Sequence, residues 1–246
     1  MNPYGRSAQE QREHDRLRYP GTDVLINKHD IRVPAKLELV ERAAAQRRMQ
    51  DGLPTEAKHF TVEGVQAIHR HLLGDVYDWA GSFRRYTTGR GSAPFAPPDF
   101  IQGSLGGLMD KLKEERFLHG LDQGKMAARA AHYVNELNAV HPFVDGNGRM
   151  QRTWLRNLCE QAGHHLQFRP GDRDAWNAAS ASGFYENDDR MTAFLSERLR
   201  PLAEKSRDAQ GIPDPSSDRL NELRDRYRKS DDAAKTPDKQ KNGQKQ

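Results

Sequence analysis

The twelve residues His141 to Arg152, HPFVDGNGRMQR, constrain this chain more than any other stretch. An apolar helical pattern runs up to Val140, and a second starts at Arg149. Pro142 disfavours helix at His141, so the chain turns there. Phe143 reads as a core plug that fixes the loop. Gly146 and Gly148 flank Asn147, and both residue types tolerate positive φ, which lets successive backbone N–H groups converge on an anion. A helix N-terminus follows, and its free N–H groups and dipole also favour phosphate. Arg149 and Arg152 stand at i and i+3 on that helix and reach the same side. Their guanidinium forks suit phosphate oxygens. Asp145 is a hard oxygen ligand, suited to Mg²⁺ shared between one carboxylate and phosphates. His141 titrates where it can take a hydroxyl proton near neutral pH. Alone, a histidine at a helix end is usually structural, and an Arg-x-x-Arg pair is usually a solvated face. Gathered into twelve residues, these groups point to a nucleotide polyphosphate with Mg²⁺, a general base and two phosphate clamps.

The rest of the chain supplies the scaffold. Its 246 residues suffice for one hydrophobic core. Only 35% are hydrophobic and 30% are charged, so part of the chain is expected to stay outside that core. Residues 1–203 form the expected domain, and residues 204–246 read as a charged, largely disordered tail. A short helix over 217–229 is the one element expected there, with Leu220, Leu223 and Tyr227 on one face. Cys159 is the only cysteine, which excludes an internal disulfide and suits a reducing compartment. The N-terminal MNPYGRSAQEQREHD is polar from the start, and no apolar run approaches membrane-spanning length. A soluble, cytoplasmic protein with no membrane partner is expected, although a secretion signal read from the C-terminus would escape this reasoning. The net charge of +4 fits an anionic partner. The basic residues are not clustered along the chain and no nucleic-acid motif appears, so direct nucleic-acid binding is not expected.

Helical periodicity dominates residues 1–203. Leu37, Leu39, Val40 and Ala44 form a stripe in Lys36–Met49. Thr61 is placed to cap a helix that aligns Val65, Ile68 and Leu72. Asp99 is placed to cap the next helix, where Gly103, Gly106 and Gly107 either weaken it or admit another backbone. Asp122 caps a helix carrying Met126, Ala130, Val134 and Leu137. Arg149–Gln161 is a helix stopped by Gly163. Two more fit Asp174–Ser182 and Asp188–Leu199. One segment breaks the pattern: Trp79 to Pro98 has Phe83, Tyr86, Thr87 and Thr88, then Gly-Arg-Gly and Ala-Pro-Phe. It predicts a short hairpin with a glycine tip, able to bind an extended peptide as an added strand.

HPFVDGNGRMQR closely resembles the signature of Fic-domain proteins, HPF-x-[D/E]-GNGR-x-x-R, at every defined position. The segment from Asp78 to Pro98, with DWAG and PFAPP, is similar to the family's flap region over about residues 83–96. The resemblance covers roughly residues 17–200. It implies a mostly helical fold with a short β-hairpin flap and the transfer of AMP from ATP to a hydroxyl of a protein. His141 would be the base and Asp145 the Mg²⁺ ligand. Gly146, Asn147 and Gly148 would cradle the phosphates, with Asn147 nearest the α-phosphate. Arg149 would meet the β-phosphate and Arg152 the γ-phosphate. The flap residues Thr88, Gly89, Arg90, Gly91, Ser92, Ala93, Pro94 and Phe95 would pair with the target's backbone, presenting a Ser, Thr or Tyr hydroxyl.

Many members of that family are silenced by a helix carrying [S/T]-x-x-x-E-[G/N], whose glutamate pairs with the second motif arginine. SGFYEN, with Ser182 and Glu186, fits this loose pattern. Gly183 inside it and Asp188-Asp189 beside it predict instead a junction between two helices. The resemblance is then best to stand-alone toxins whose inhibitor is a separate small helical antitoxin carrying the inhibitory glutamate. DNA gyrase and topoisomerase IV are candidate targets. A host-directed secreted effector, or a relative with other transfer chemistry, shares the same loop.

Overall fold

The computed structural model describes residues 4–202, so the helix expected over 217–229 and the remaining tail lie outside the described residues. Among the described residues the protein is mostly α-helical, as expected, with eight α-helices and two pairs of short antiparallel strands. Four helices matter most for the site. These are α2 (Pro34–Gln50), α3 (Val62–Leu73), α5 (Gln123–Val140) and α6 (Asn147–Gln161). α1 (Ala8–Asp15) precedes them, and α4 (Ile101–Glu114) lies between α3 and α5. α7 (Asp172–Tyr185) and α8 (Asp189–Ser196) follow.

α5 is the central element. It packs against α4, α6, α7 and α8, and buries Met126, Ala130, Val134 and Leu137 as the spacing predicts. Small residues at Ala127, Ala130 and Ala131 let neighbouring helices approach. The Asp122 carboxylate accepts from the Lys125 N–H at 2.9 Å and caps the first turn. Thr61 does the same for α3 by accepting from the Gly64 N–H at 3.0 Å, and each such cap is worth about 1 kcal/mol. Val65, Ile68 and Leu72 of α3 are fully buried, each contributing about 1.5–3 kcal/mol relative to exposure. No helix among the described residues is long and apolar enough to cross a membrane.

Several local expectations are corrected. The buried face of α2 is Leu37, Glu41 and Ala45, while Leu39 is exposed. A buried glutamate stands in the stripe, so an apolar pattern alone sets the helix at the wrong angle. Asp99 does not cap α4. It sits in a short 3₁₀ turn, Pro98–Phe100, and α4 starts after it without a side-chain cap. Gly103, Gly106 and Gly107 meet no neighbour, so of the two readings only a weakened helix survives.

α7 runs unbroken through Gly183 to Tyr185, so the expected break after Ser182 is absent. A side chain at Gly183 would strike the Asn135 amide of α5 at 2.2 Å, and this close approach outweighs glycine's cost in a helix. α8 ends at Ser196 rather than Leu199. Leu199–Pro201 is instead a strand, β4, paired antiparallel with β3 (His164–Leu166). The predicted hairpin is present as β1 (Gly89–Arg90) and β2 (Ala93–Pro94), turning on Gly91 and Ser92. Gly91 has φ +58°, the conformation a tight turn needs. Of the β-formers from Phe83 to Thr88, Thr88 extends it by accepting from the Phe95 N–H at 2.9 Å, and the others lead into it.

Candidate active site

The loop predicted to bind phosphate joins α5 to α6. His141 takes the left-handed conformation at the C-terminus of α5, with φ 46°, which lets Pro142 leave the helix axis at once. Phe143 is fully buried, as expected of a plug. It stacks on His69 of α3, with ring centroids 3.8 Å apart. The Gly81 N–H donates to His69 Nδ1 at 2.9 Å. Nε2 therefore holds the proton and donates to the Asp145 carbonyl at 2.8 Å. Burial lowers the imidazole to about 4, so His69 stays neutral in this role.

Gly146 opens α6 with φ 77°. A Cβ there would strike Leu73 at 2.3 Å, so glycine is required both by conformation and by space. It offers no side-chain cap, and the first-turn N–H groups of Asn147, Gly148 and Arg149 stay available to an anion. The Asn147 side chain is already engaged. It accepts from the Phe143 N–H at 3.0 Å and donates to the Phe143 carbonyl at 2.9 Å. Its contribution to a phosphate is thereby limited to its backbone N–H, with the side chain closing the loop. Asp145 projects its carboxylate into solvent beside this helix end.

Arg149 and Arg152 do share a face of α6. Arg149 is ion-paired to Glu41 of α2 at 2.5 Å. Glu41, only 6% exposed, also accepts the Tyr77 hydroxyl. Burial and the neighbouring Glu41 carboxylate push the Tyr77 phenol up, so it remains a donor. Arg152 lies over the Trp176 ring at 5.7 Å and has no carboxylate partner among the described residues. Glu186 closes α7 and accepts from Ser182 Oγ at 2.8 Å. It stands ten residues beyond Trp176, about 15 Å along the helix. Ser182 and Glu186 are thus one turn apart on continuous helix, contrary to expectation, but the glutamate is exposed and bonded to its own helix.

The flap covers His141. Phe95 stacks on its ring at 3.9 Å with 2° between planes. Burial first, then the Arg84 cation, pushes the imidazole down to about 3. The group is therefore a neutral acceptor in the ligand-free site and a weaker base than the sequence suggests. Arg84 is 2% exposed and donates to the carbonyls of Tyr86, Ala96, Val140 and His141. It ties both feet of the flap to the end of α5. The other side of the flap is held by the N-terminal segment. Glu10 accepts from the Thr87 N–H and hydroxyl at 2.8 and 2.6 Å. Arg6 donates to the Thr87 carbonyl at 2.7 Å, and the Tyr4 hydroxyl reaches the Gly89 and Gly91 carbonyls at 3.1 Å. From α7, the Tyr185 hydroxyl donates to the Arg90 carbonyl at 2.5 Å.

Glu41, His69 and Arg84 were not singled out from sequence. Glu41 and His69 each left one signal, a polar residue inside an apolar helical stripe. The basic residues, scattered along the chain, converge in space: Arg149, Arg152, Arg156, Arg169 and Arg173 line one cavity.

A glycine-rich turn between two core helices, with a histidine before it, two arginines after it and a hairpin above, defines a Fic-type domain. The chain belongs to the Fic/DOC family, whose sequence model matches residues 59–159. Protein adenylyltransferase VbhT of Bartonella schoenbuchensis is 35% identical over 181 residues, which is 73% of this chain but only 38% of VbhT. A probable protein adenylyltransferase Fic of Escherichia coli is 35% identical over 67% of this chain and 82% of its own length. Among solved structures, the Bartonella tribocorum effector BepC with bound AMPPNP superposes with a TM-score of 0.69 at 25% identity. The match covers 76% of this chain and 97% of the chain in that crystal structure. A Bartonella quintana Fic domain with bound ADP gives 0.68 at 26% identity, over 76% and 95%.

Proposed function

We propose that this protein transfers AMP from ATP to a hydroxyl side chain of another protein. The observation that carries the reading is the loop 141–152, which holds His141 beside the open N-terminus of α6 and beneath the flap. Relatives named protein adenylyltransferases, and neighbours with bound AMPPNP and ADP, support it.

In this reading the N–H groups of Gly146, Asn147 and Gly148 hold the α- and β-phosphates, with Arg149 on the β- and Arg152 on the γ-phosphate. His141, neutral before substrate binds, accepts the target's hydroxyl proton as its oxygen attacks the α-phosphorus. The bond to the β-phosphate oxygen breaks, and pyrophosphate leaves. Asp145 fits Mg²⁺ because it is an exposed carboxylate next to the nest, and no group of three or more acidic, histidine or cysteine ligands competes among the described residues. Bound there, the ion would neutralise charge on the phosphates. Residues 88–95 guide the target by strand pairing, and the N-terminal contacts on the Thr87 side hold the flap in place for it.

Control by a separate antitoxin is supported by Arg152, which has no carboxylate partner among the described residues and is free to accept an external glutamate. With such control the protein would be a toxin acting in the cytoplasm, for which DNA gyrase and topoisomerase IV are candidate targets. The Bartonella neighbours described as VirB-translocated effectors favour the alternative of delivery into another cell. The test is incubation of the full chain with ATP labelled at the α-phosphate, Mg²⁺ and a bacterial lysate, followed by mass spectrometry of labelled bands. Label on a Ser, Thr or Tyr from α-labelled ATP is expected. Label only from the γ-phosphate would replace this reading with phosphate transfer.

A further inference from the structure

Beside the nest lies a cavity of about 270 Å³ between the end of α2, one face of α6 and the start of α7. Its wall carries Arg149, Arg152, Arg156, Arg169 and Arg173, with Trp176 behind them. Two of these cations have carboxylate partners: Arg149 has Glu41, and Arg173 reaches Glu38 at 3.5 Å. The one carboxylate in the wall, Asp172, is taken by a two-pronged ion pair with Arg198. Arg152, Arg156 and Arg169 have no carboxylate partner among the described residues. Arg152 and Arg156 rest on the rings of Trp176 and Phe168, each at 5.7 Å, and Arg169 donates to the Glu197 carbonyl at 3.0 Å.

Like charge gathers around Arg152 in this wall. Arg152 is held below its ordinary pKa by burial and then by Arg149, Arg173 and Arg156. Gathering like charges on one wall costs stability, most at the partly buried Arg152, and an anion that enters restores it. The positions are also ordered. Arg149, Arg152 and Arg156 follow one face of α6 from its N-terminus, and the span from first to last is about 10 Å. With a triphosphate laid along that face, the β- and γ-phosphates use Arg149 and Arg152. Arg156 and Arg169 are left beyond its end.

We propose that this cavity is a subsite for an anionic group beyond the γ-position, so that the site accepts a nucleoside polyphosphate longer than a triphosphate. The inference rests on the nucleotide reading above. A small polyphosphate is favoured over an acidic protein segment because the free cations continue the arginine track of the nest without interruption. They also outnumber the single carboxylate that one inserted side chain can present.

The experiment is calorimetric titration of the full chain with ATP, adenosine 5′-tetraphosphate and tripolyphosphate, repeated on the double variant Arg156→Gln/Arg169→Gln. Both side chains are partly exposed and outside the machinery assigned above, so the variant keeps its fold, its ATP affinity and its transfer of labelled AMP. In the wild type the tetraphosphate is expected to bind about tenfold more tightly than ATP, the effect of one further charge-assisted contact. In the variant that preference disappears, and tripolyphosphate weakens as well. ATP and tetraphosphate of equal affinity in the wild type would overturn this inference alone. So would a variant that loses both nucleotides equally, or a polyglutamate peptide that binds the wild type while tripolyphosphate does not. A wild type that binds neither nucleotide would overturn the nucleotide reading and this inference with it.

Discussion

Arg149 of α6 and Glu41 of α2 are joined across 108 residues of sequence by an ion pair that also receives the Tyr77 hydroxyl. The pair fixes the direction of one motif arginine at the start of α6. Glu41→Ala would leave a half-buried guanidinium and a buried hydroxyl without their acceptor, at a cost of about 2–3 kcal/mol. For a domain of this size that is a fall in melting temperature of roughly 5–10 °C. Glu41→Gln should keep the Tyr77 contact and most of the stability, yet weaken ATP binding as Arg149 loses its orientation. Calorimetry on both variants checks this, and a melting temperature unchanged in Glu41→Ala would show the pair to be idle.

His141 is neutral in the free protein down to about 3, because it is partly buried under Phe95 and faces Arg84. The sign follows directly: a base must be unprotonated to act, and here protonation begins far below the ordinary histidine range. The profile of kcat/KM, which reports the free enzyme, should stay level as pH falls from about 8 to 5 with no break near 6.5. His141→Ala should lower transfer by roughly 10²- to 10⁴-fold while ATP still binds. A break at 6.5 would mean that the flap opens in solution and hydrates the ring.

What was legible in the sequence and what was not divides along chain distance. The loop could be read because His141, Asp145, Asn147, Arg149 and Arg152 are local, and the geometry of a helix start joins them. The Thr61 and Asp122 caps could be read for the same reason. Glu41, His69 and Arg84 hold that loop from 108, 76 and 57 residues away; a polar residue in an apolar stripe marks Glu41 and His69 as buried, but nothing local names their partners. Gly183 misled because its helix cost is local while its reason, Asn135, lies on another helix. Three-residue strands such as β3 and β4 are too short to show a period.

Arg84 is the joint between the flap and His141. Its guanidinium serves carbonyls on both feet of the hairpin and on the last turn of α5. Lysine offers a point charge with three donors on a flexible stem and cannot reproduce that planar fork. Arg84→Lys should therefore leave ATP affinity nearly intact and reduce AMP transfer by about tenfold or more, as misplaced reacting groups cost rate. Hydrogen exchange at the amides of 86–96 should quicken. Full activity with unchanged exchange would deny Arg84 this positioning role.

Glu10 holds the Thr87 side of the flap through a backbone N–H and a hydroxyl, and these bonds, with the Ser7 capping contact, lower its carboxyl from 4.5 to about 2. A depressed carboxylate stabilises the contact above pH 4.5, and the contact is lost as pH falls toward 2. Protection of the Thr87 amide should decline over that window in the wild type. In Glu10→Gln it should already be low at neutral pH, with transfer reduced and ATP affinity unchanged. Equal protection in the two proteins would remove the N-terminal segment from the flap's support.

Glu186 carries the choice between self-inhibition and an external inhibitor. A brake of that kind needs its carboxylate on Arg152. Here Glu186 ends α7, bonds Ser182 at 2.8 Å and lies exposed, while Arg152 packs on Trp176, ten residues earlier on the same helix. Rotating one side chain does not close about 15 Å of helix rise. Glu186→Gly should therefore do little to AMP transfer. Its cost is one partly exposed hydrogen bond at a helix end, about 0.5–1.5 kcal/mol. Expression gives the second readout. The wild type should impair growth of a bacterial host unless a glutamate-bearing partner is present, and His141→Ala should relieve it. Harmless wild-type expression together with strong toxicity from Glu186→Gly would require Glu186 to reach Arg152 in solution, and would make the SGFYEN segment an internal brake.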